Sequence, residues 1–414
     1  MSADGPAPKT VIEALELISS YIESSTTIAN TEVSHSQGRV VAEDVFSPIT
    51  FPQFDSAAMD GFAVCSEDVS PDGTAMLKVK HVIPAGQTGR IAISRGEAAR
   101  ITTGAMLPSG ADRVVMQENT RTAGNEVHLF VPMGSKPHVR RVGGDIPVGA
   151  KVLSAGEVVT AGHVAMLTGL GIRTIKVHAR AKVGLLSTGN ELCDAPNLTS
   201  VGQVYDTNRP MLSIMARAMG AEVTDLGIVP DNLDTVLSVL VGAAAEHDLL
   251  ISSGGASAGF ADFLTEAVSQ RGRVEFWKLN MRPGKPIGFG DVDDCPILIL
   301  PGNPISAMAG FTLFGRPILR RISGDRSGQR KSLRLPISCD YPKPFGRTQC
   351  LPATLVVDEK TGQTTARPLP DRGSASLTAL ATATALIVLN DLQGDIRSGD
   401  VVDVHLLVSD PLGF

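Results

Sequence analysis

The residues best suited to chemistry fall in four short stretches between positions 187 and 306. The first is Ser187-Thr188-Gly189-Asn190-Glu191, and the second is "SGGASAGFAD", 253–262. The third is "NMRPGKP", 280–286, and the fourth is "PGNPIS", Pro301-Gly302-Asn303-Pro304-Ile305-Ser306. Their contents are complementary. Gly189, Gly254, Gly255, Gly259 and Gly302 bare backbone amides, and Ser187, Thr188, Ser253, Ser257 and Ser306 add hydroxyls. Arg282 and Lys285 add positive charge on a Pro-Gly turn, while Glu191 and Asp262 add carboxylates that suit a divalent cation. Each stretch alone has a plainer reading: a turn, a helix-start acid, a pair of solvated cations. Four of them after successive strands point instead to a phosphate-bearing, nucleotide-linked ligand with a metal ion.

The surrounding pattern predicts what must hold these loops. Ile297–Leu300 reads as a strand buried on both faces, and two prolines then forbid further ladder pairing. Asn303 suits a helix N-cap and Pro304 the first helical position, so the unit is strand, tight turn, helix. The same alternation runs back to Ala181. "KVGLL", "AEVTDLGIV", "DLLIS" and "VEFWKL" read as strands. "NRPMLSIMARAMG" reads as a helix that Asn208 can cap and Gly220 can end, and "DNLDTVLSVLVGAAAEH" as one capped by Asp231. "FLTEAVSQRG" reads as a short helix. The prediction is a doubly wound parallel sheet with the four loops at its carboxyl edge.

Either side the texture differs. Thr10-x-x-Glu13 is a capping box before a stripe of Val11, Ala14, Leu15, Ile18 and Ile22. From about 45 to 150, short alternating segments ("MLKVKHVI", "RIAIS", "ADRVVMQE", "EVHLFVP") predict a β-rich region, and "TAGHVAMLTGLG" a helix after it. Beyond about 328, "SLRLPIS", "LPATLVVD", "ALIVLN" and "VVDVHLLV" predict a small β barrel or sandwich. In the β-rich part, "FPQFDSAAMDGFAV" places Asp55 and Asp60 in apolar company, with Thr103 and Asp145 in two similar stretches.

Bulk properties narrow the class. At 414 residues several domains are expected, and 43% hydrophobic residues suffice for their cores. A net charge of −6 argues against a general nucleic-acid or membrane-surface binder. Five scattered cysteines, without a C-x-x-C pair, suit a reducing cytoplasm and give no zinc signature. The opening "MSADGPAPKT" lacks the marks of a signal segment, and no stretch is apolar enough for a bilayer, so a soluble cytoplasmic protein is expected.

"FDSAAMDGFAV", "RITTGAMLPSGADRVV", "RRVGGDIPVGAKVL", "LLSTGNEL", "GQVYDTN", "SSGGASAGFAD", "MRPGKPIGFG" and "LPGNPISA", in this order, resemble the molybdopterin molybdenumtransferase family, MoeA and the E-domain of gephyrin. The resemblance implies insertion of molybdate into adenylated molybdopterin with release of AMP, assisted by Mg2+. It implies a helical linking domain (8–48 plus 148–178), a β-rich domain (49–147), an α/β molybdopterin-binding domain (179–326) and a C-terminal β barrel (327–414). It also implies a head-to-tail homodimer, each cleft lying between the α/β domain of one subunit and the "MDGFA" domain of the other. On that basis Asp60, Thr103, Glu191 and Asp262 are the catalytic candidates, with Asp60 and Thr103 reaching the partner's cleft. Asp231, Asp262 and Glu191 are the metal candidates. Ser187, Thr188, Gly189, Gly254, Gly255, Ser257, Arg282, Lys285, Pro301, Gly302, Asn303, Pro304 and Ser306 are the substrate contacts. Transient contact with the adenylyltransferase and with downstream cofactor-processing proteins is implied as well.

Phe260, Gly144 and Asn190 stand where many relatives carry acids, and all three lower the negative charge. Three rivals share the fold: a non-catalytic carrier of molybdopterin or finished cofactor, a scaffold, and a transferase that prefers tungstate.

Overall fold

The computed structural model describes residues 8–24, 27–87, 89–196, 200–254, 263–326 and 332–407. At its centre six strands form one sheet: β1 (Lys182–Thr188), β2 (Glu222–Val229), β3 (Leu249–Ser253), β4 (Val274–Trp277), β5 (Gly288–Val292) and β6 (Cys295–Leu300), in the order β2-β1-β3-β6-β5-β4. Four helices accompany them: α1 (Asn208–Ala218), α2 (Leu233–Ala244), α3 (Phe263–Arg271) and α4 (Pro304–Gly310).

The apolar strand pattern is that of a sheet covered twice. Val183, Leu185, Leu298 and Leu300 share a core with Leu212 and Ala216 of α1, Ile305 of α4, and Ala14 and Ile18 of the first helix. Their neighbours Leu186, Ile297 and Ile299 face the other way, onto Val236 and Leu240 of α2 and Leu264 and Val268 of α3. Successive side chains point to opposite faces, so a strand buried on both sides must be apolar throughout.

β2, β1, β3 and β6 are parallel, and their registers align the ends. Thr188 pairs with Val229, Ser187 with Ser253, and Ser253 with Leu300. The loops that follow therefore leave the sheet at one level. β5 is an element that propensity does not reveal, and it runs antiparallel to both β6 and β4. Its glycines hide it, yet they are what its packing requires: a Cβ on Gly288 would lie 2.4 Å from the Trp277 ring. With β5 interposed, β4 still points the same way as β6, so "NMRPGKP" emerges at the same edge.

Two expected helix caps are corrected. Asn232, not Asp231, caps α2, accepting a hydrogen bond from the Thr235 amide (3.0 Å). Asp231 is drawn aside to the β1 loop. Nor does Asn208 cap α1: it is the first helical residue, and Asp206 Oδ1 accepts from the Asn208 and Arg209 amides (3.0 and 3.1 Å). Asn303 holds the N-cap position of α4 but makes no side-chain capping bond. Gly220 follows α1 with φ +84°, as a helix-ending glycine should.

The first helix, Val11–Tyr21, carries the expected Thr10–Glu13 capping box. The chain then forms Ile28–Glu32 and Val45–Phe46, which pair with Thr174–His178 and Lys151–Leu153. Between these returns lies a six-stranded β sheet spanning Gly61–Val64 to Glu126–Phe130, with a core on each face. "RIAIS" contributes only a single bridge, Ala92 to Ser109. In the C-terminal part, Thr348–Val357, Ala385–Leu389, Val401–Leu406 and Leu333–Pro336 follow one another across a sheet, with Thr364–Pro368 on its far edge. A bridge from Ile337 to Ala366 joins the two ends into a small barrel. Among the described residues no helix is long and apolar enough to cross a membrane.

Candidate functional site

The carboxyl edge of the sheet gathers the candidate residues as the register requires. Ser187 and Thr188 end β1 and are buried, and among the described residues neither hydroxyl has a hydrogen-bond partner. Ser252, one residue before the end of β3, is in the same state. Buried hydroxyls without partners are costly, and several at one strand edge mark a place built for polar groups from outside the chain.

The loops above them are clasped to one another. Gly254 has φ +95°, and a Cβ there would sit 2.2 Å from the Thr188 carbonyl oxygen, so only glycine lets β3 turn across β1. Its amide donates to Leu300 O (3.1 Å), which ties the "SGG" turn to the "PGNP" turn. Asn208 adds the side-chain clasp: Nδ2 donates to Ser253 Oγ (2.8 Å) and to Gly302 O (2.7 Å). At the β1 loop, Asn190 and Asp231 bond reciprocally: the Asn190 amide donates to Asp231 Oδ2 (3.3 Å), and the Asp231 amide to Asn190 Oδ1 (3.1 Å). A neutral residue at 190 makes this clasp without setting two carboxylates together. Glu191 folds back over Gly189, where a Cβ would meet its carboxylate at 2.8 Å.

Sequence reasoning missed the residues that hold α1 in place. Arg209 is buried and forms ion pairs with Asp206 (3.0 Å), Asp225 (2.5 Å) and Asp194. Burial works against its charge, but the carboxylates prevail and hold the guanidinium pKa above its usual value. Asp206 grips both the Arg209 side chain and the first amides of α1, and so fixes where Asn208 points. The signal was present in "GQVYDTN": a polar helix start beside an apolar stripe.

The basic loop lies where the α/β part meets the barrel. Met281 and Arg282 pair as a short strand with Thr348 and Gln349, and Asn280 Nδ2 donates to Gly346 O. The Ile305 amide of α4 donates to Ser374 O (3.1 Å). Between these contacts lies a cavity of about 450 Å³, lined by Arg282, Lys285, Pro301, Asn303 and Ser306 together with Arg347 and Arg372 of the barrel. Asp371 approaches Arg282 at 3.7 Å, with both groups largely exposed. Tyr341 lines it too; burial pushes its hydroxyl pKa up, against the pull of Arg282. The two barrel arginines are further site candidates that the sequence motifs did not mark.

The remaining candidates lie apart. Asp60 Oδ1 accepts from both the Thr103 amide (2.7 Å) and its hydroxyl (2.8 Å), which brings together residues 43 positions apart. Those two bonds hold the Asp60 carboxyl below the usual carboxylate range. Among the described residues, the hydrogen bonds of this pair stay within the β-rich part. Gly255, Ser257 and Asp262, with Gly259 and Phe260, lie outside the described residues. Among those described, no three His, Cys, Asp or Glu side chains gather as a metal site. The Asn190 clasp ties the loop that carries Glu191 to the one that carries Asp231.

Comparison with known proteins covers almost the whole chain. Residues 9–171 match the family model of the MoeA N-terminal region (domain I and II). Residues 184–321 match a probable molybdopterin binding domain, and 334–407 the MoeA C-terminal region (domain IV). A molybdopterin molybdenumtransferase of Haemophilus influenzae is 34% identical over 376 residues, 89% of this chain and 92% of that one. Molybdopterin molybdenumtransferase 2 of Mycobacterium tuberculosis is 34% identical over 381 residues, 90% and 93% of the two chains. The solved structure of a molybdopterin biosynthesis MoeA protein from Pyrococcus horikoshii OT3 superposes with a TM-score of 0.83 at 27% identity, covering 97% of this chain and all of that one.

Proposed function

The chain belongs to the MoeA family of molybdopterin molybdenumtransferases, and from that premise we propose that it inserts molybdate into adenylated molybdopterin and releases AMP. The observation that carries this reading is the carboxyl-edge rim: buried hydroxyls of Ser187, Thr188 and Ser252 without partners among the described residues, next to a cavity with four basic side chains. The hydroxyls and the Gly189, Gly254 and Gly302 turns suit the phosphate and pterin side of the substrate. Molybdate is a dianion, and Arg282, Lys285, Arg347 and Arg372 supply the charge it needs, with Ser306 as a further donor.

Release of AMP requires cleavage of one phosphoanhydride P–O bond by water. Glu191 and Asp231 would hold Mg2+, which when bound offsets the charge of the phosphate oxygens. Asp262 belongs to the same proposed set. The part of this chain is to orient the phosphates with the clasped loops and to exclude bulk water where barrel and rim meet. Asp60 and Thr103 form a preset acceptor and hydroxyl pair, proposed to act in the cleft of a partner subunit in a homodimer.

The proposed domain limits are 8–48 plus 148–178, 49–147, 179–326 and 327–414, supported by strand pairings that return at 45–46 to 151–153 and by a core around Val41, Leu167 and Val177 and another around Ile337, Ile387 and Val402; the first helix packs into the core of the α/β sheet. Five cysteines without disulfides suit the cytoplasm. The deciding experiment is to incubate the pure protein with adenylated molybdopterin, Mg2+ and either molybdate or tungstate, and to follow AMP. Oxyanion-dependent AMP release is expected; tight substrate binding without turnover would make the protein a carrier.

A further inference from the structure

A second basic cavity lies away from the rim. It measures about 350 Å³ and is lined by Arg39, Arg180, Arg217 and Arg320, with His178 and one carboxylate, Asp325. It sits where the linking region, the end of α1 and the end of the helix Arg316–Ile322 meet. The chain carries a net charge of −6, so four guanidinium groups around one hollow run against its overall balance.

The plainer reading is that these arginines serve helix ends and carbonyls. Arg39 donates to His178 O (2.8 Å), Arg180 to Gly220 O (3.1 Å) and Arg217 to Val223 O (3.3 Å). Arg320 faces Asp325 at 3.8 Å. The four guanidinium groups nonetheless share one hollow, and they act on one another: Arg39 is held below its usual pKa by burial and then by the charge of Arg180, against the pull of Glu222. Arg217 also acts on Asp225, which does not line the hollow. Each guanidinium also has five N–H donors, and one or two carbonyl bonds leave several for a ligand.

We propose that this cavity is a binding site for a small phosphate-bearing anion carrying at least two negative charges. Planar N–H forks match phosphate oxygens in pairs, and a hollow of this size admits a pyrophosphate or a mononucleotide rather than a polymer. α1 runs between the two sites. Its first residue, Asn208, clasps the rim, and its last turn carries Arg217 into the basic cavity, about 16 Å away for 11 residues at 1.5 Å each. The two sites are therefore separable by mutation.

The test is calorimetric titration of the full chain with inorganic pyrophosphate and with AMP, without Mg2+. The rim has basic groups of its own, so Arg282→Ala is run beside the double variant Arg180→Gln/Arg217→Gln, whose two residues are exposed. The expected result is an affinity for at least one anion that falls about tenfold or more in the double variant and persists in Arg282→Ala. A parallel reading on the unaltered protein uses phenylglyoxal, followed by peptide mass mapping. Pyrophosphate or AMP should slow modification of Arg180 and Arg217. Loss of binding in Arg282→Ala alone would assign the anion to the rim and overturn the proposal. No binding of either anion, or no protection of the two arginines, would overturn it equally.

Discussion

The rim of the α/β sheet and the Asp60–Thr103 pair hold residues of the same kinds, yet they are built differently. At the rim, Asn208 and the Gly254 amide tie the "SGG" and "PGNP" turns together, and the Asn190–Asp231 pairing ties the β1 loop to the start of α2, beside hydroxyls that are buried. Asp60 and Thr103 are exposed, and among the described residues the Asp60 carboxylate accepts only from the Thr103 amide and hydroxyl. A pocket whose donors are already fixed within one chain needs only its ligand. An exposed, oriented carboxylate has acceptor capacity left over. In the proposed homodimer the rim would be the receptor and the Asp60 pair the part that is delivered.

The largest effect should come from separating these two parts. Asp60→Ala and Glu191→Ala are each expected to fold, to dimerise and to release almost no AMP. In a mixed dimer one cleft collects both defects and the other none. Co-refolding the two variants should then restore up to about a quarter of normal activity, if half the dimers are mixed and each has one intact cleft. Demonstrated subunit exchange with no recovery would place both residues in one chain's site and remove the contrast.

The next test breaks the rim's internal ties. Asn208→Ala leaves Ser253 Oγ and Gly302 O without their donor. It is expected to cost about 1–3 kcal/mol of stability, because the buried Ser253 hydroxyl left unmatched bears the desolvation penalty. Urea unfolding measures it. Thr103→Ala, tested the same way, should cost less, since its partner is exposed. Equal costs would show that the rim is no more tightly built than the exposed pair.

These two regions also differ in how far the sequence reveals them. The strands, the level of the loops and the β-rich flanks follow from apolar periodicity, and Ser187, Thr188 and Gly254 stand where that pattern places them. Asn208 reads as a cap because an asparagine at a helix start usually is one. Only the third dimension shows Asp206 taking the amides and freeing the Asn208 side chain for Ser253. Asp231 likewise looks like the cap of α2, but Asn232 is the residue with the right backbone geometry. β5 escapes because Gly288 and Gly290 depress its strand propensity while serving close packing. Arg347 and Arg372 reach the cavity through barrel pairings that no local pattern encodes. The Asp60–Thr103 bond is long-range in sequence, and only the ordered family motifs connect the two residues.

A smaller effect is expected from the basic turn. Arg282 is largely exposed and only loosely paired with Asp371 at 3.7 Å. Arg282→Ala removes one of four cationic side chains around the cavity, so roughly a tenfold rise in the molybdate concentration needed for half-maximal AMP release is expected. Lys285→Ala should act in the same direction. Unchanged oxyanion dependence in both would make the turn a solvated surface feature and confine the receptor to the strand ends.

The smallest effect concerns the Asp60 carboxylate itself. The Thr103 amide, and then its hydroxyl, hold its pKa below the unfolded value of about 3.9. A group whose folded pKa is depressed stabilises the fold fully above its unfolded pKa, and the contribution fades as pH falls through the folded value. The folded protein must then bind a proton that the unfolded chain accepts more readily. Asp60→Asn keeps an acceptor oxygen but cannot titrate. The thermal midpoint of the original protein should thus exceed that of Asp60→Asn near neutral pH, and the gap should close as the pH falls below the unfolded value and through the lower folded one. The gap will be small, because exposed groups are screened by solvent. A difference that stays constant from pH 7 down to the acid limit would mean that the Thr103 bonds do not favour the charged form. The Asp60 pair would then lose its standing as a preset anionic acceptor, and the comparison with the rim would rest on burial alone.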